Sequence, residues 1–318
     1  MPEFTKITKA GVYDIPVDEY HRDPVLGGSL SSTGTKMLLP PSCPALFKVW
    51  RESPTKHKRH FDFGRAAHRR VLGVGDDVAV ISGSGENDDW RTNVAKAAVA
   101  EAREQGKTPI KPRDADTIEE MSEALRAHEM ASTLLRPDAG KPEQTLVWQD
   151  EETGVMRRSL LDWLPNSPAE GRRMIVPDYK SLAALDRESI ARAIADNGYD
   201  VQGRTQLDAV HALGLAGRID PIFVLIAQLK EPPYLVVVAP VGLESLTLAG
   251  DRTRHALHLY RWCTRHDYWP GYADHEPMRP VETPAWARNQ HQAALSAGDY
   301  DTDIDSLYSC LLYTSDAA

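Results

Sequence analysis

The sequence predicts an α/β protein, with a mixed five-stranded sheet flanked by helices behind a helical N-terminal lead-in. Three observations predict it. Apolar runs of strand length fall in two groups, three between residues 144 and 179 and two between 221 and 239. Segments with apolar residues at 3–4 spacing stand before, between and after those groups. Turn residues separate nearly every pair. Helices alternating with groups of strands give a layered α/β arrangement.

Taken in order, residues 11–15 read as a short strand and 18–21 as one helical turn. Ser31, Ser32 and Thr33 offer a cap for a helix over 36–39, which Pro40, Pro41 and Pro44 end. Residues 45–52 form another short helix. Phe63, Ala66, Ala67, Arg70 and Val71 share one face of a helix over 61–72, and its small residues Gly64, Ala66 and Ala67 would let it lie close to the sheet. Two amphipathic helices follow, over 90–105 and 114–135. The pattern then changes to a hairpin, 144–149 and 155–164, around the turn Glu151-Glu152-Thr153-Gly154. A third strand runs over 173–179. Helices over 187–196 and 199–213 are stopped by Asn197-Gly198 and Gly214. Strands over 221–230 and 234–239 flank Pro232-Pro233, and a long helix covers 246–266. The expected organisation is a lead-in over 1–60, a core over 61–285 and a C-terminal segment over 286–309.

The final residues, CLLYTSDAA over 310–318, resemble the translated read-through of a transposon adaptor used in sequencing libraries. The expectation is that 286–309 is a truncated segment and that 310–318 is foreign to the protein.

With 42% hydrophobic and 26% charged residues, the 318-residue chain has an ordinary globular composition. No apolar run approaches the roughly 20 residues of a membrane helix, and the first residues lack an apolar signal core, so a cytoplasmic protein away from the membrane is expected. The three cysteines, Cys43, Cys263 and Cys310, contain no CxxC pair, which excludes a cysteine zinc site or an iron–sulfur cluster. The net charge of −9 argues against nucleic acid when taken alone. Its distribution does not, because 48–70 holds eight Lys and Arg against Glu52 and Asp62. Lys56, Lys58, Arg59, Arg65 and Arg69 in that stretch are candidate phosphate contacts; a solvated charged face is the competing reading.

The chemistry concentrates in Ile175-Val176-Pro177-Asp178-Tyr179-Lys180. In a strand Asp178 and Lys180 share a face. A D/E-x-K triplet is expected about once by chance in a chain like this, so its place at the end of an apolar strand is what raises it. Asp162 interrupts the apolar run of the preceding strand. If the strands are neighbours, two carboxylates converge on one hard divalent ion; a turn cap before Pro165 is the alternative. His68 lies on the 61–72 helix.

A helix with Gly-x-x-x-His (FGRAAHRRVL, 63–72), a hairpin ending in Asp (LLDWLP, 160–165), a strand ending in Asp-x-Lys (IVPDYKSL, 175–182) and a helix carrying Gln (NGYDVQGRTQLDAV, 197–210) together resemble the PD-(D/E)xK nuclease superfamily. Within it the likeness is to RecB-like exonucleases, especially phage RecE-type proteins, and spans about residues 11–270. GVYDIPVDEYH (11–21), the 30–50 segment, PEQTLVWQDEETGV (142–155) and LKEPPYLVVV (229–238) contribute to it. The resemblance implies a restriction-endonuclease-like core. It implies Mg²⁺ or Mn²⁺ on His68, Asp162, Asp178 and the Tyr179 carbonyl, with Lys180 as the catalytic lysine beside the two aspartates. Gln202 matches the first position of a Gln-x-x-x-Tyr motif, and Glu143 an acidic position before the first core strand. Two departures stand out. Gln206 replaces the motif's Tyr, and Pro177 precedes the catalytic Asp, which suggests a bulge. The resemblance further implies an exonuclease acting on duplex DNA ends, 5′ to 3′, in phage recombination, with a single-strand annealing partner and a ring-like homo-oligomer. An endonuclease of the same superfamily and a DNA-binding module with a vestigial site are the alternatives.

Overall fold

The computed structural model describes residues 5–53, 62–75, 77–85, 89–273 and 278–300. The chain divides into two compact units, Met1–Gly271 and Tyr272–Ala318. The second contains one described helix, Ala285–Ala297, closed by Gly298 in the left-handed region at φ 82°.

The lead-in of the first unit contains β1 (Gly11–Tyr13), α1 (Val17–His21), α2 (Ser32–Leu38) and α3 (Pro44–Glu52). The expected cap on α2 is Ser31, whose side chain accepts from the Gly34 N–H at 3.1 Å. Then come α4 (Asp62–Leu72), β2 (Val78–Val80), α5 (Asn93–Glu104), β3 (Thr108–Ile110), α6 (Pro112–Ala127) and α7 (Glu129–Leu134). The strands β4 (Gly140–Gln149), β5 (Met156–Pro165) and β6 (Ile175–Leu182) precede α8 (Arg187–Asn197) and α9 (Tyr199–Ala212). The order closes with β7 (Ile222–Leu229), β8 (Val236–Pro240) and α10 (Leu243–His266). The mixed α/β character is as expected. The single helix expected over 114–135 is two, because His128 breaks it and caps the second by accepting from the Ala131 N–H. The pair β2–β3, parallel and only three residues long on each side, was not expected.

The five expected strands do not make one sheet. Among the described residues they fall into two of three sheets, β1-β4-β5 and β6-β7-β8, the third being β2-β3. β5 and β6 lie side by side, yet side chains serve the backbone groups where their ladder would run. The Tyr179 N–H donates to Asp162 Oδ2 at 2.9 Å, and the Leu160 carbonyl accepts from Gln206 Nε2 at 3.4 Å. Pro177 has no N–H to give. The sheet therefore parts along the seam that carries Asp162 and Asp178.

The bulge expected at Pro177 is absent, since β6 pairs with β7 in unbroken parallel register from Ile175↔Ile222 to Leu182↔Leu229. Residues two apart on a strand direct their backbone groups the same way. The Tyr179 N–H points to Asp162, so the Pro177 nitrogen also faces away from β7. A proline on the unpaired side of an edge strand disturbs nothing.

Two cores flank β6 and β7. On one side Leu146, Leu161, Val176, Leu207, Phe223 and Leu225 pack under α8 and α9. On the other Ala66, Ala67, Ile118, Tyr179 and Ile226 pack under α4 and α6. Ala66 and Ala67 thus allow the close approach expected of them, whereas a Cβ on Gly64 would meet nothing within 4 Å. The lead-in is tied to β5 by a buried arginine. Arg158 donates to the Tyr20 carbonyl and to Ser29 O and Oγ, and pairs with Asp23 at 3.0 Å. Among the described residues no helix is long and apolar enough to cross a membrane.

Candidate active site

Strand alternation places Val176, Asp178 and Lys180 toward α9 and Tyr179 toward α4. The Asp178 carboxylate is fully buried and held from two sides. Gln202 and Gln206 both donate to its Oδ1, at 2.7 and 3.2 Å. They stand one helical turn apart on α9, so their amides align on one face. Gly203 sits between them against Phe223 of β7, and a Cβ there would enter the ring. Its missing side chain lets α9 lie close enough for the amides to reach.

The other Asp178 oxygen, Oδ2, is 2.5 Å from Lys180 Nζ. The two make a buried ion pair, and among the described residues no other group donates to this oxygen. Lys180 Nζ also lies 3.9 Å from Asp162 Oδ2 and 5.3 Å above the Tyr199 ring. One ammonium therefore stands between two carboxylates. Burial pushes the Asp178 carboxyl upward, and the Asp162 charge adds to it, against the opposing pull of Lys180. Burial alone would lower the Lys180 amine, but Asp178 and Asp162 together outweigh it and hold the amine above its ordinary value. Beyond Lys180 stands Lys36 of α2, lowered by burial and then by Lys180; its Nζ donates to the Asn197 carbonyl at 2.6 Å.

On the α4 side, His68 Nε2 lies 3.1 Å from the Tyr179 carbonyl and 3.5 Å from Asp162 Oδ2. Tyr179 itself is buried, with its ring edge against His68 and its hydroxyl donating to Gln228 Oε1 at 2.8 Å. Burial raises that hydroxyl, so it stays protonated. Gln228 is anchored in turn to the Met121 carbonyl at 2.7 Å.

His68, Asp162, Asp178, Tyr179, Lys180 and Gln202 are thus brought together. Glu143 stands by register across from Asp162, in the one gap of the β4–β5 ladder, at φ 46°. Its carboxylate lies beside Gly75. Of the five basic candidates, Lys56, Lys58 and Arg59 lie outside the described residues. Arg65 is half-buried and shares a small cleft with Asp18, Asp62 and Arg103. Arg69 donates to the Gly73 carbonyl and to Asp77. Other cations of the same stretch also meet acids, Lys48 with Asp267, Arg51 with Asp23 and Arg70 with Glu119. Sequence reasoning read Gln206 only as a departure and missed Tyr199, Lys36 and Gln228. The i, i+4 spacing of Gln202 and Gln206 was the available signal for the first.

The donor set suits a hard divalent ion, with two carboxylates, an imidazole and a backbone carbonyl. Octahedral ligands about 2.1 Å from Mg²⁺ stand roughly 3 Å apart when adjacent. His68 Nε2 stands near that spacing from both the Tyr179 carbonyl and Asp162 Oδ2, and Asp178 Oδ2 is a buried oxygen whose countercharge Lys180 now supplies. Among the described residues no three His, Cys, Asp or Glu side chains form a ready-made cluster, because Lys180 separates Asp178 from the His68–Asp162 pair.

No family model and no curated protein matches the sequence. The fold is similar to the crystal structure of a proposed exonuclease from Eubacterium rectale, with a TM-score of 0.54 and 12% identity. The match covers 91% of this chain and 96% of the other. At such identity the likeness is one of fold, so the site described above sits on a fold shared with the Eubacterium rectale protein.

Proposed function

We propose that this chain is a metal-dependent DNA nuclease, an exonuclease that hydrolyses phosphodiester bonds at duplex ends, 5′ to 3′. The observation that carries the reading is the convergence of Lys180 on Asp178 and Asp162, with His68 and the Tyr179 carbonyl beside them and two glutamines behind. His68, Asp162, Asp178 and the Tyr179 carbonyl would hold Mg²⁺ or Mn²⁺. Such an ion polarises a phosphate and acidifies a bound water. The chain's own groups do the rest. Gln202 and Gln206 fix the Asp178 carboxylate in one orientation. Lys180, kept as an ammonium by its neighbours, is suited to bind a phosphoryl oxygen and to offset negative charge as it develops. A general-base role would require it to lose a proton that both carboxylates help it keep.

The exonuclease, its direction and a role in phage-type recombination extend the reading by the family likeness, as do an annealing-protein partner and a homo-oligomer. The shared fold with a proposed exonuclease supports the coarser part. The test uses linear and closed-circular duplex DNA with Mg²⁺ or with EDTA. We expect the linear form alone to be degraded, only with metal, and not by Lys180→Ala. Ends labelled separately on each strand read the direction. Cleavage of the circle would overturn the exonuclease, and absence of metal-dependent hydrolysis by the unmodified chain would overturn the nuclease.

A further inference from the structure

Helix α10 buries one stripe, Leu246, Ala249, Thr253, Ala256, Leu257, Tyr260 and Cys263. Its opposite face carries a run of cations. Arg254, His258, Arg261 and Arg265 are exposed and follow one another at i, i+4, i+7 and i+11. That spacing makes a single row, roughly 16 Å long at about 1.5 Å per residue. At the near end of the row, Arg254 and His258 share Glu152 at 3.7 and 3.0 Å, and Arg254 also meets Asp251. At the far end, Arg261 and Arg265 have no ion-pair partner among the described residues.

Beside the row runs a second one of rings, His255, Trp262 and His266, at i, i+7 and i+11. Trp262 is 44% exposed and stacks on His266 with ring centroids 4.6 Å apart. Tyr268, 39% exposed, stands edge-on to Trp262 at 6.0 Å. A tryptophan and a tyrosine left this open cost hydration that burial would recover. Cations alone would make a solvated face. Cations in a row with an indole and a phenol alongside make a track for phosphates with platforms for bases. Duplex DNA hides its base faces, whereas a single strand presents them. The contrast lies at the far end of the row: Lys48, Arg51, Arg69 and Arg70 of the other basic stretch meet acids of the same chain, as Arg254 and His258 do, whereas Arg261 and Arg265 meet none among the described residues.

We propose that the outer face of α10 binds single-stranded nucleic acid, with phosphates along Arg254, His258, Arg261 and Arg265 and bases against Trp262 and Tyr268. This deepens the nuclease reading by giving the unpaired strand a place, yet it is tested by binding alone. The flank of the same helix reaches toward the site through Arg252, 3.9 Å from Asp200 in the first turn of α9.

The experiment measures equilibrium binding of fluorescein-labelled oligo-dT to the full chain in EDTA, so that no hydrolysis enters. Trp262→Ala should weaken binding about fivefold or more, since each stacked base contributes roughly that factor or greater. Trp262→Phe should restore most of it. Arg261→Ala/Arg265→Ala should lower the slope of log affinity against log salt by about 1.4, roughly 0.7 for each phosphate left without its arginine. Arg192→Ala, an exposed arginine of α8 paired with Glu188, should change neither. Circular dichroism checks that each variant is folded. Failure of the unmodified chain to bind, or equal binding by Trp262→Ala, overturns the proposal. So does an altered sedimentation mass with unaltered affinity, which would assign the face to a second copy. Because the readout is binding without metal, its failure leaves cleavage untouched, and loss of cleavage leaves it untouched.

Discussion

Strand β5 has two neighbours, and it treats them differently. Toward β4 it forms a long antiparallel ladder, from Gly140↔Pro165 to Gln149↔Met156, interrupted only opposite Asp162. Toward β6 it forms no ladder, and Asp162 and Gln206 supply from side chains what a ladder supplies from backbone. The first seam is joined backbone to backbone, and that ladder runs past wholly buried Leu146 and Leu161 and past buried Arg157 and Arg158 alike. The second concentrates an ammonium, two carboxylates and an imidazole. A backbone ladder fixes geometry regardless of sequence, whereas a side-chain seam depends on each residue named. The first seam should therefore fail gradually and in stability, the second abruptly and in chemistry.

The largest effect should come from Asp178→Asn. It keeps the shape but removes the charge on which Lys180 and a metal depend, so hydrolysis should fall by about a thousandfold or more. The same change removes a buried, desolvated carboxylate, so the melting temperature should rise by about 2–4 °C. A fall in melting temperature would show that the seam contributes stability and would break the contrast. Next comes Leu161→Ala on the ladder side. It should cost about 2–5 kcal/mol in denaturant unfolding, while the folded fraction keeps hydrolysis within about tenfold. Asp162 separates the two roles within the second seam. Asp162→Ala strands the buried Tyr179 N–H and should cost about 1–3 kcal/mol, whereas Asp162→Asn keeps an acceptor and should lose activity with little loss of stability. Equal melting temperatures for the two would mean that this amide does not need its partner. The smallest effect is expected for Pro177→Ala, about 1 kcal/mol by urea titration, the cost of a buried N–H that meets no ladder carbonyl.

The sequence made the chemistry more legible than the sheet. Asp178 and Lys180 share a face by strand period, and Asp162, His68 and Gln202 could be placed from their elements. The division into separate sheets was not legible, because it depends on which groups satisfy the Tyr179 N–H and the Leu160 carbonyl, contacts between residues 17 or more positions apart. Gln206 looked like a loss where a tyrosine was expected, yet its amide reaches the same oxygen as Gln202. The partners of the basic stretch were hidden for a related reason. Charge along a sequence says nothing about partners, and Asp23, Asp77, Glu119 and Asp267 come from elsewhere to meet it. The outer face of α10 is readable as a pattern only once the buried stripe is known.

Arg158 has a bearing on how such a protein could be assembled from parts. Its guanidinium projects, buried, from β5, and all its described partners, Tyr20, Ser29 and Asp23, belong to the lead-in. A core transplanted without residues 20–29 would carry a buried cation with nothing to meet it. A lead-in exchanged for another would have to bring the same carboxylate and carbonyls to the same place. Residues 20–29 and the strand bearing Asp162 therefore have to be exchanged together for the exchange to keep that cation paired.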